Sequence, residues 1–452
     1  MICSPEFDKN SNFFNINLPP RGRGDWTDHI IKKIKFLTYM WLCYNEACFF
    51  RIRKAFFDIS DLAPRKVLLR LEKIMWNQEQ EEFKKNVINF VSENLNSDVI
   101  KNDRESVFNR VDWNKCGEFG VQGWLIPKGY GGFGLDVPTT ICGMEGLGYA
   151  CKDDGLLFSI SAHLFACAMP ILGFGTEEQK QLYLPPMCNG KMIASHSATE
   201  PKSGSDIYSL TTFAEKNHQR YVLNGEKHYV TNGSIANIFL VFASTDFSLG
   251  SKGISAFLIP RDTPGLIITP QIETMGDRTS GIVRIRLENC SISEKQRLGE
   301  EGAGSLIFST SMEWERGFIL ARSVGTMERL LEKSIKYAKT HKQFGQPIGS
   351  FQLISSKLVD MKVRLENCRN LIINLAHKKK SKRVCIMDAA IANLYISESW
   401  VKSALSAMDI HGGNGYMVEN ELEREVRNAL GSKFYSGTTE IQKIVISKFL
   451  GL

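Results

Sequence analysis

The spacing of apolar positions changes twice along the chain. Phe83, Val87, Phe90 and Val91 recur at i, i+4, i+7 and i+8, the stripe of an amphipathic helix. Gly120, Gly123, Pro127, Gly129, Gly131, Gly132 and Gly134 then punctuate a loop. Helical patterning resumes over 138–151, 156–174 and 176–184, with Thr176 placed to cap a helix that opens on Glu177-Glu178. Between 191 and 300 the period shortens. Tyr221-Val222-Leu223 and Tyr229-Val230 flank Asn224-Gly225, which reads as a turn. Ile238 to Ala243, Ser255 to Ile259 and Val283 to Leu287 are short β-rich runs bounded by Gly, Pro and Asn. From Leu306 to Leu450 long helical stretches return, broken at 344–349 and 412–416. A helical, then β, then helical order predicts an α+β multidomain chain and argues against a doubly wound parallel sheet. The expected parts are 76–190 (helical), 191–300 (β) and 301–452 (a helical bundle), with no internal repeat and no transmembrane helix.

Residues 1–75 read differently. Positions 1–25 are polar and rich in Asn, Pro and Gly, a composition that favours disorder. Positions 28–58 are apolar, aromatic and basic. Their longest uncharged apolar run, Phe36 to Tyr44, is too short to span a bilayer and sits too far from Met1 for a secretory signal. A basic amphipathic helix for a membrane or partner surface, an extension helix packed on the body, and a natural start at Met75 all remain open. The formal net charge of +7 lies mostly here, with thirteen Lys/Arg against eight Asp/Glu in this segment. The body is nearly neutral and offers no electrostatic case for nucleic acid. Eleven cysteines without a C-x-x-C pair suggest reduced thiols in a cytoplasmic protein, and eight histidines without ligand spacing argue against a metal.

Three groups of residues carry candidate chemistry. In the β part, Thr199-Glu200-Pro201-Lys202-Ser203-Gly204-Ser205-Asp206 offers small residues and free backbone N–H groups to a planar polar ring, and Tyr229 and Thr231-Asn232-Gly233 follow. In the last part come Glu315-Arg316, then His341-Lys342-Gln343-Phe344-Gly345 with Gln352, then Asp409 and Gly412-Gly413-Asn414-Gly415. Near the end stands Tyr435-Ser436-Gly437-Thr438-Thr439-Glu440-Ile441-Gln442. Each piece alone is weak. The ordered set over 76–452 resembles the acyl-CoA dehydrogenase flavoproteins.

The resemblance implies an N-terminal helical domain, a middle β-barrel-like domain and a C-terminal four-helix bundle, assembled as a homodimer or homotetramer around FAD. The 378 residues from Met75 to Leu452 suit the family's usual size. It further implies that Ala198, Thr199, Gly204 and Ser205 line the flavin and its pyrophosphate, with Tyr229 and Thr231 on the other side. His341, Gln343, Phe344, Gln352, Asp409, Gly412 and Gly413 would reach a neighbouring subunit's FAD, and Thr438 and Glu440 would face the cofactor. Two positions depart from the family: His341 replaces Arg and Asp409 replaces Gln, which weakens the expected phosphate contacts.

The largest departure is Ser436, which stands where the family usually carries its catalytic Glu. A serine hydroxyl is not basic near neutral pH, although its backbone N–H can still hold a thioester carbonyl. Some branches place the base instead just before an Arg lying 28 residues upstream of the Phe-Gly motif. Arg316 and Phe344 keep that spacing, so Glu315 becomes the candidate base. Met312, Trp314 and Phe318 would surround it, and Ser205, Arg316, Tyr435 and Gly437 would contact substrate. The implied reaction is α,β-dehydrogenation of an acyl or aminoacyl thioester. The Ser-Met-Glu-Trp-Glu-Arg run at 311–316, together with Phe158-Ser159 and Ala162-His163-Leu164, is similar to the natural-product branch acting on carrier-protein thioesters. Acyl-CoA is the competing substrate, and an electron-transfer flavoprotein or another acceptor would reoxidise the enzyme. An inactive flavoprotein-fold binding or assembly subunit, and a flavin oxidase on the same fold, stay as alternatives.

Overall fold

The computed structural model describes residues 76–452; the expectations for 1–75 lie outside the described residues. Helices α1 (Gln78–Asn94), α2 (Val99–Glu105), α3 (Arg110–Phe119), α4 (Val137–Ala150), α5 (Asp154–Ser161), α6 (Met169–Phe174) and α7 (Glu177–Cys188) come first. Their starts follow capping chemistry. Asn77 and Gln80 form a reciprocal capping box at α1, Thr176 and Gln179 form another at α7, and Asp136 caps α4. A π-helical segment, Ala162–Ala168, joins α5 to α6 without a break. The resulting Asp154–Phe174 helix is long and apolar enough to cross a membrane, which the sequence reading overlooked; 89% of its apolar window is buried inside the protein, as befits a core helix.

Eight strands follow: β1 (Ala194–Ser197), β2 (Phe213–Asn217), β3 (Arg220–Val230), β4 (Ile238–Ser244), β5 (Ile254–Pro260), β6 (Leu266–Ile268), β7 (Val283–Ser293) and β8 (Arg297–Leu298). They form one sheet in the order β6-β7-β3-β2-β4-β5-β8, with β1 parallel to β4. Alternation decides which face goes where. Phe239, Val241 and Ala243 of β4 join Tyr221, Leu223, Phe257, Val283, Ile285 and Leu287 in a core belonging to the sheet alone. Ile238, Leu240 and Phe242 point the other way and pack with the helices.

One turn expectation fails. Asn224-Gly225 lies inside the continuous strand β3, where the register against β7 slips between Leu223 and Gly225, so it is a bulge. Gly225 is required there because a Cβ would approach Thr212 Oγ1 to 2.3 Å. The hairpin turn is six residues earlier, at His218-Gln219 between the paired Asn217 and Arg220, with His218 at φ 54°.

The last part holds α8 (Gly304–Phe318), α9 (Ala321–Thr340), the short pair β9 (Lys342–Gln343) and β10 (Gln346–Pro347), then α10 (Gln352–Lys380), α11 (Ile386–His411), α12 (Gly413–Tyr416), α13 (Leu422–Gly431) and α14 (Thr439–Phe449). Helix α11 packs against α8, α9, α10, α13 and α14 and is the bundle's axis. Helix α9 also crosses α4, with backbone touching backbone. A Cβ on Gly148 would lie 1.7 Å from the Arg322 carbonyl oxygen, and one on Gly325 would lie 1.9 Å from that of Glu145.

Buried ion pairs tie these layers together. Glu145 of α4 accepts from Trp76 Nε1 (2.9 Å), Lys84 Nζ (2.9 Å) and Arg369 Nε (2.8 Å), joining α1, α4 and α10. Arg322 of α9, fully buried, donates to both carboxylate oxygens of Asp154 at 3.0 Å and to the Ile319 carbonyl. Removing one partner of such a pair leaves an uncompensated charge out of water, a loss of about 3–5 kcal/mol. Asp154→Ala is therefore expected to lower the denaturation midpoint sharply. The double variant Asp154→Leu/Arg322→Met should recover much of it. Equal or additive losses in the double variant would show that the pair is not the source.

Candidate active site

Helix α8 carries Glu313 and Glu315 two residues apart, hence about 200° apart around the axis. The two fates differ accordingly. Glu313 lies on the opposite side of the helix, largely buried, and pairs with Lys379 Nζ (2.6 Å) and the Cys385 N–H (3.0 Å). Glu315 faces inward on the same stripe as Ile307, Ser311 and Met312 and is 8% exposed. That stripe packs on the π-helical segment through a Ser311 Oγ hydrogen bond to the Ala166 carbonyl (3.3 Å). The Cys167 thiol of that segment feels the Glu315 charge, and Phe318 packs edge-tilted on Phe165 at 6.0 Å. Trp314 turns away and carries the Lys379 ammonium 4.7 Å above its ring, so the expected apolar surround comes from Met312 and Phe318 with the π-helical segment.

Burial pushes the Glu315 carboxyl up to about 7, against the smaller opposing effects of the Ser436 hydroxyl and Arg316. Ser436 Oγ donates to Glu315 Oε1 at 2.9 Å. The 435–437 turn is held from several sides. The Tyr435 hydroxyl accepts from Arg322 Nη2 (3.1 Å), and its ring stacks on Phe158 at 4.5 Å. The Ser436 carbonyl accepts from Arg316 Nε (3.2 Å) and Gln442 Nε2 (3.1 Å), and the Gly437 carbonyl accepts from the same Gln442 amide at 2.7 Å. Ser436 and Gly437 both sit at positive φ, 59° and 94°. Glu315, Arg316, Tyr435, Ser436 and Gly437, five of the candidate residues, are thus in one place, with Phe158 beside them.

A second group gathers where β1 meets β3. The Ala198 carbonyl accepts from Lys227 Nζ (3.2 Å), the Thr199 carbonyl from the His228 N–H (2.8 Å), and the Thr231 carbonyl from Ser195 Oγ. Behind them Lys227 and Glu200 form a buried pair at 2.7 Å. Burial alone would raise the Glu200 carboxyl, but Lys227 and the Thr211 and Thr212 donors hold it down at about 2. Gly204 and Ser205 are exposed on the loop that this pair anchors, and Tyr229 stands 66% exposed at φ 54°.

A third group lies at the C-terminal ends of α9 and α11. The His341 ring stacks on Tyr337 at 4.7 Å, and Tyr337 stacks on His411 at 4.2 Å. Gln343 Nε2 meets His341 Nε2 at 3.3 Å. Asp409 pairs with Lys357 Nζ at 2.5 Å, so its charge does not stand alone as the sequence suggested. Phe344 is 92% exposed, Gln352 is exposed at the start of α10, and added Cβ atoms at Gly412 and Gly413 would meet nothing within 4 Å. Among the described residues no hydrogen bond or ring stack joins this group to the other two. Thr438 caps α14 by accepting from the Ile441 N–H (3.3 Å), and Glu440 is exposed beside it.

Three stretches match the acyl-CoA dehydrogenase N-terminal domain (77–191), middle domain (195–290) and C-terminal domain (302–451). The chain belongs to the acyl-CoA dehydrogenase family. It is 37% identical over 373 residues to an L-prolyl-[peptidyl-carrier protein] dehydrogenase of Serratia sp., covering 82% of this chain and 97% of that one. Among solved structures it is similar to the prolyl acyl carrier protein oxidase AnaB, with 59% identity, a TM-score of 0.83, and coverage of 84% of this chain and all of that one. PigA with FAD and proline is 36% identical at a TM-score of 0.82, covering 84% and 99%.

This acyl-CoA dehydrogenase family member is an FAD-dependent oxidoreductase acting on CH–CH groups, and its residues fit the cofactor. The buried Ser197 Oγ, next to Ala198, has no hydrogen-bond partner. Among the described residues, the only atom within 4 Å of an added Gly204 Cβ would be Thr199 Cγ2 at 3.7 Å, which leaves room for a ring to approach the backbone. Several supporting residues escaped the sequence reading: Gln442, whose amide fixes two carbonyls, the Arg322–Asp154 pair, and the Lys227–Glu200 pair. The buried positions of Gln442 and Arg322 on helical stripes were the available signal. His163, by contrast, is structural: it is fully buried, accepts from the Ala194 N–H (3.1 Å) and meets the Met187 carbonyl at 3.3 Å.

The raised Glu315 carboxyl also predicts a stability effect. Its value of about 7 in the folded chain stands above the ordinary 4.5, so stability present below pH 4.5 is lost as pH rises towards 7, on the order of 3 kcal/mol. Glu315→Gln escapes this loss. Its melting temperature should match that of the unsubstituted protein near pH 5 and exceed it by several degrees near pH 8; a gap that does not change with pH would contradict the placement.

Proposed function

We propose that this enzyme dehydrogenates an aminoacyl thioester of the prolyl class, carried on the pantetheine arm of a carrier protein, with Glu315 as the α-proton base. The observation that carries the reading is a buried carboxylate of raised basicity, hydrogen-bonded to the residue that replaces the family's usual base. A base that must ionise near neutral pH, yet take a weakly acidic proton, works best with its pKa close to the working pH. The carrier-protein substrate rests on the names of the Serratia and AnaB relatives.

The chain's residues divide the work. Glu315 takes the α-proton as the Cα=Cβ bond forms. The Ser436 backbone N–H holds the thioester carbonyl and stabilises the negative charge that develops on its oxygen. Bound FAD supplies the acceptor for the β-hydride. The groups at Ala198–Ser205 and Tyr229–Thr231 hold the flavin, with Thr438 and Glu440 facing the cofactor. His341, Gln343, Phe344, Gln352, Asp409, Gly412 and Gly413 reach the FAD of a second copy in a homo-oligomer, where Lys357 accompanies Asp409 and adds a cation. The alternative of an inactive fold rests on Ser436, His341 and Asp409 together; His341 is stacked on Tyr337 and Asp409 is paired with Lys357.

The oxidase in the name of AnaB favours a second reading of the electron acceptor, with dioxygen reduced to hydrogen peroxide in place of electron transfer to a flavoprotein. The experiment is anaerobic bleaching of the oxidised flavin by prolyl-loaded carrier protein, with proline-loaded pantetheine and acyl-CoAs alongside. Prolyl-carrier protein should bleach fastest, and Glu315→Gln should slow bleaching by 10³-fold or more while retaining FAD. Normal bleaching by Glu315→Gln would sink the assignment of the base, and bleaching by acyl-CoA alone would sink that of the substrate. Stoichiometric peroxide in air without added acceptor would select the oxidase reading.

A further inference from the structure

Ser436 is more than a vacated position. Its hydroxyl lies 2.9 Å from Glu315 Oε1, whereas Glu315 Oε2 takes no hydrogen bond among the described residues. The backbone that carries this hydroxyl is held on both sides. Upstream, Tyr435 is held by Arg322 and Phe158. At Ser436 itself, the carbonyl takes both Arg316 Nε and Gln442 Nε2. Downstream, the Gly437 carbonyl takes Gln442 again. The left-handed φ of 59° is a conformation that a residue with a Cβ adopts at a cost, and glycine would adopt it freely. A side chain stands here despite that backbone preference, and its hydroxyl points at Glu315.

We infer that Ser436 is the positioning residue of the catalytic base: its hydroxyl holds Oε1 of Glu315 and leaves Oε2 to take the α-proton. This rests on Glu315 being the base. A hydroxyl donating to a carboxylate favours the ionised form, so it also keeps the buried base available at neutral pH. The burial of Glu315 works in the opposite direction, and the serine offsets part of it.

Two variants separate the hydroxyl from the backbone. Ser436→Gly removes the hydroxyl and relieves the left-handed strain. Ser436→Ala removes the hydroxyl and keeps the strain. In both, the acidic limb of the rate of flavin bleaching against pH should move up by about one pH unit, the worth of one hydrogen bond to a charged group. Rates well above the limb should fall less than rates below it. Near pH 5, where Glu315 is protonated, the melting temperature should be unchanged or higher in Ser436→Gly. In both variants the pH range over which stability falls relative to the matching Glu315→Gln double variant should shift upward by the same amount, a readout that needs no turnover.

Limbs that stay in place in both variants, or a shift confined to Ser436→Gly, would overturn the inference, the latter pointing to backbone mobility. These outcomes are distinct from failure of the base assignment itself. That failure would appear as normal bleaching in Glu315→Gln alone, whatever Ser436 does.

Discussion

The site depends on one buried cation. Arg322 of α9 is fully enclosed and answers to all three parts of the chain. Its guanidinium forks onto Asp154 at the start of α5, reaches the Tyr435 hydroxyl before α14, and packs within 6 Å of the rings of Phe158, Trp400 and Tyr435. Asp277, from the β part, lies close enough for its carboxyl and the Arg322 guanidinium to feel one another. Burial and the neighbouring Asp154 push its carboxyl well above the usual range, while Arg322 opposes that shift. Asp153 is pushed up to about 6 by burial while Thr279 Oγ1, next to Asp277 in space, donates to it. A charge enclosed in this way is stable only when every partner is in register. The helical start, the sheet and the terminal bundle are therefore locked to one another where Tyr435 must sit.

From that lock the reactive geometry follows. Tyr435 fixes the entry to the turn, Gln442 fixes its exit, and Ser436 is left with its hydroxyl on Glu315. The base belongs to a different helix, yet both of its requirements come from packing. The stripe of α8 that carries it must face the π-helical segment, and Glu313, two positions earlier, must face Lys379 and the start of α11. A π-helical turn is a costly local choice and tends to persist where function needs it; here it supplies the surface against which Glu315 is desolvated.

Much of this was legible in the sequence, for physical reasons that differ by element. Helices with strong stripes and caps, such as the one opening at Thr176, were readable because capping chemistry is local. Glu315 was readable from its spacing to Phe344 and from the serine at 436 together. The Asn224-Gly225 turn was misread because the dipeptide that favours a hairpin turn also suits a bulge, and only the partner strand β7 decides between them. The apolar length of Asp154–Phe174 went unremarked, and burial by its neighbours is a property that no run of residues carries by itself. The Lys227–Glu200, Lys357–Asp409 and Arg322–Asp154 pairs join positions 27, 52 and 168 residues apart and left no local trace.

The central claim is that Glu315 is a buried carboxyl tuned to neutral pH. It is tested most directly by infrared difference spectra of the FAD-loaded protein against its Glu315→Gln variant, recorded from pH 5 to 9. A protonated-carboxyl band should disappear with a midpoint of about 7. A band already absent at pH 5, as for a carboxylate in water, would contradict it.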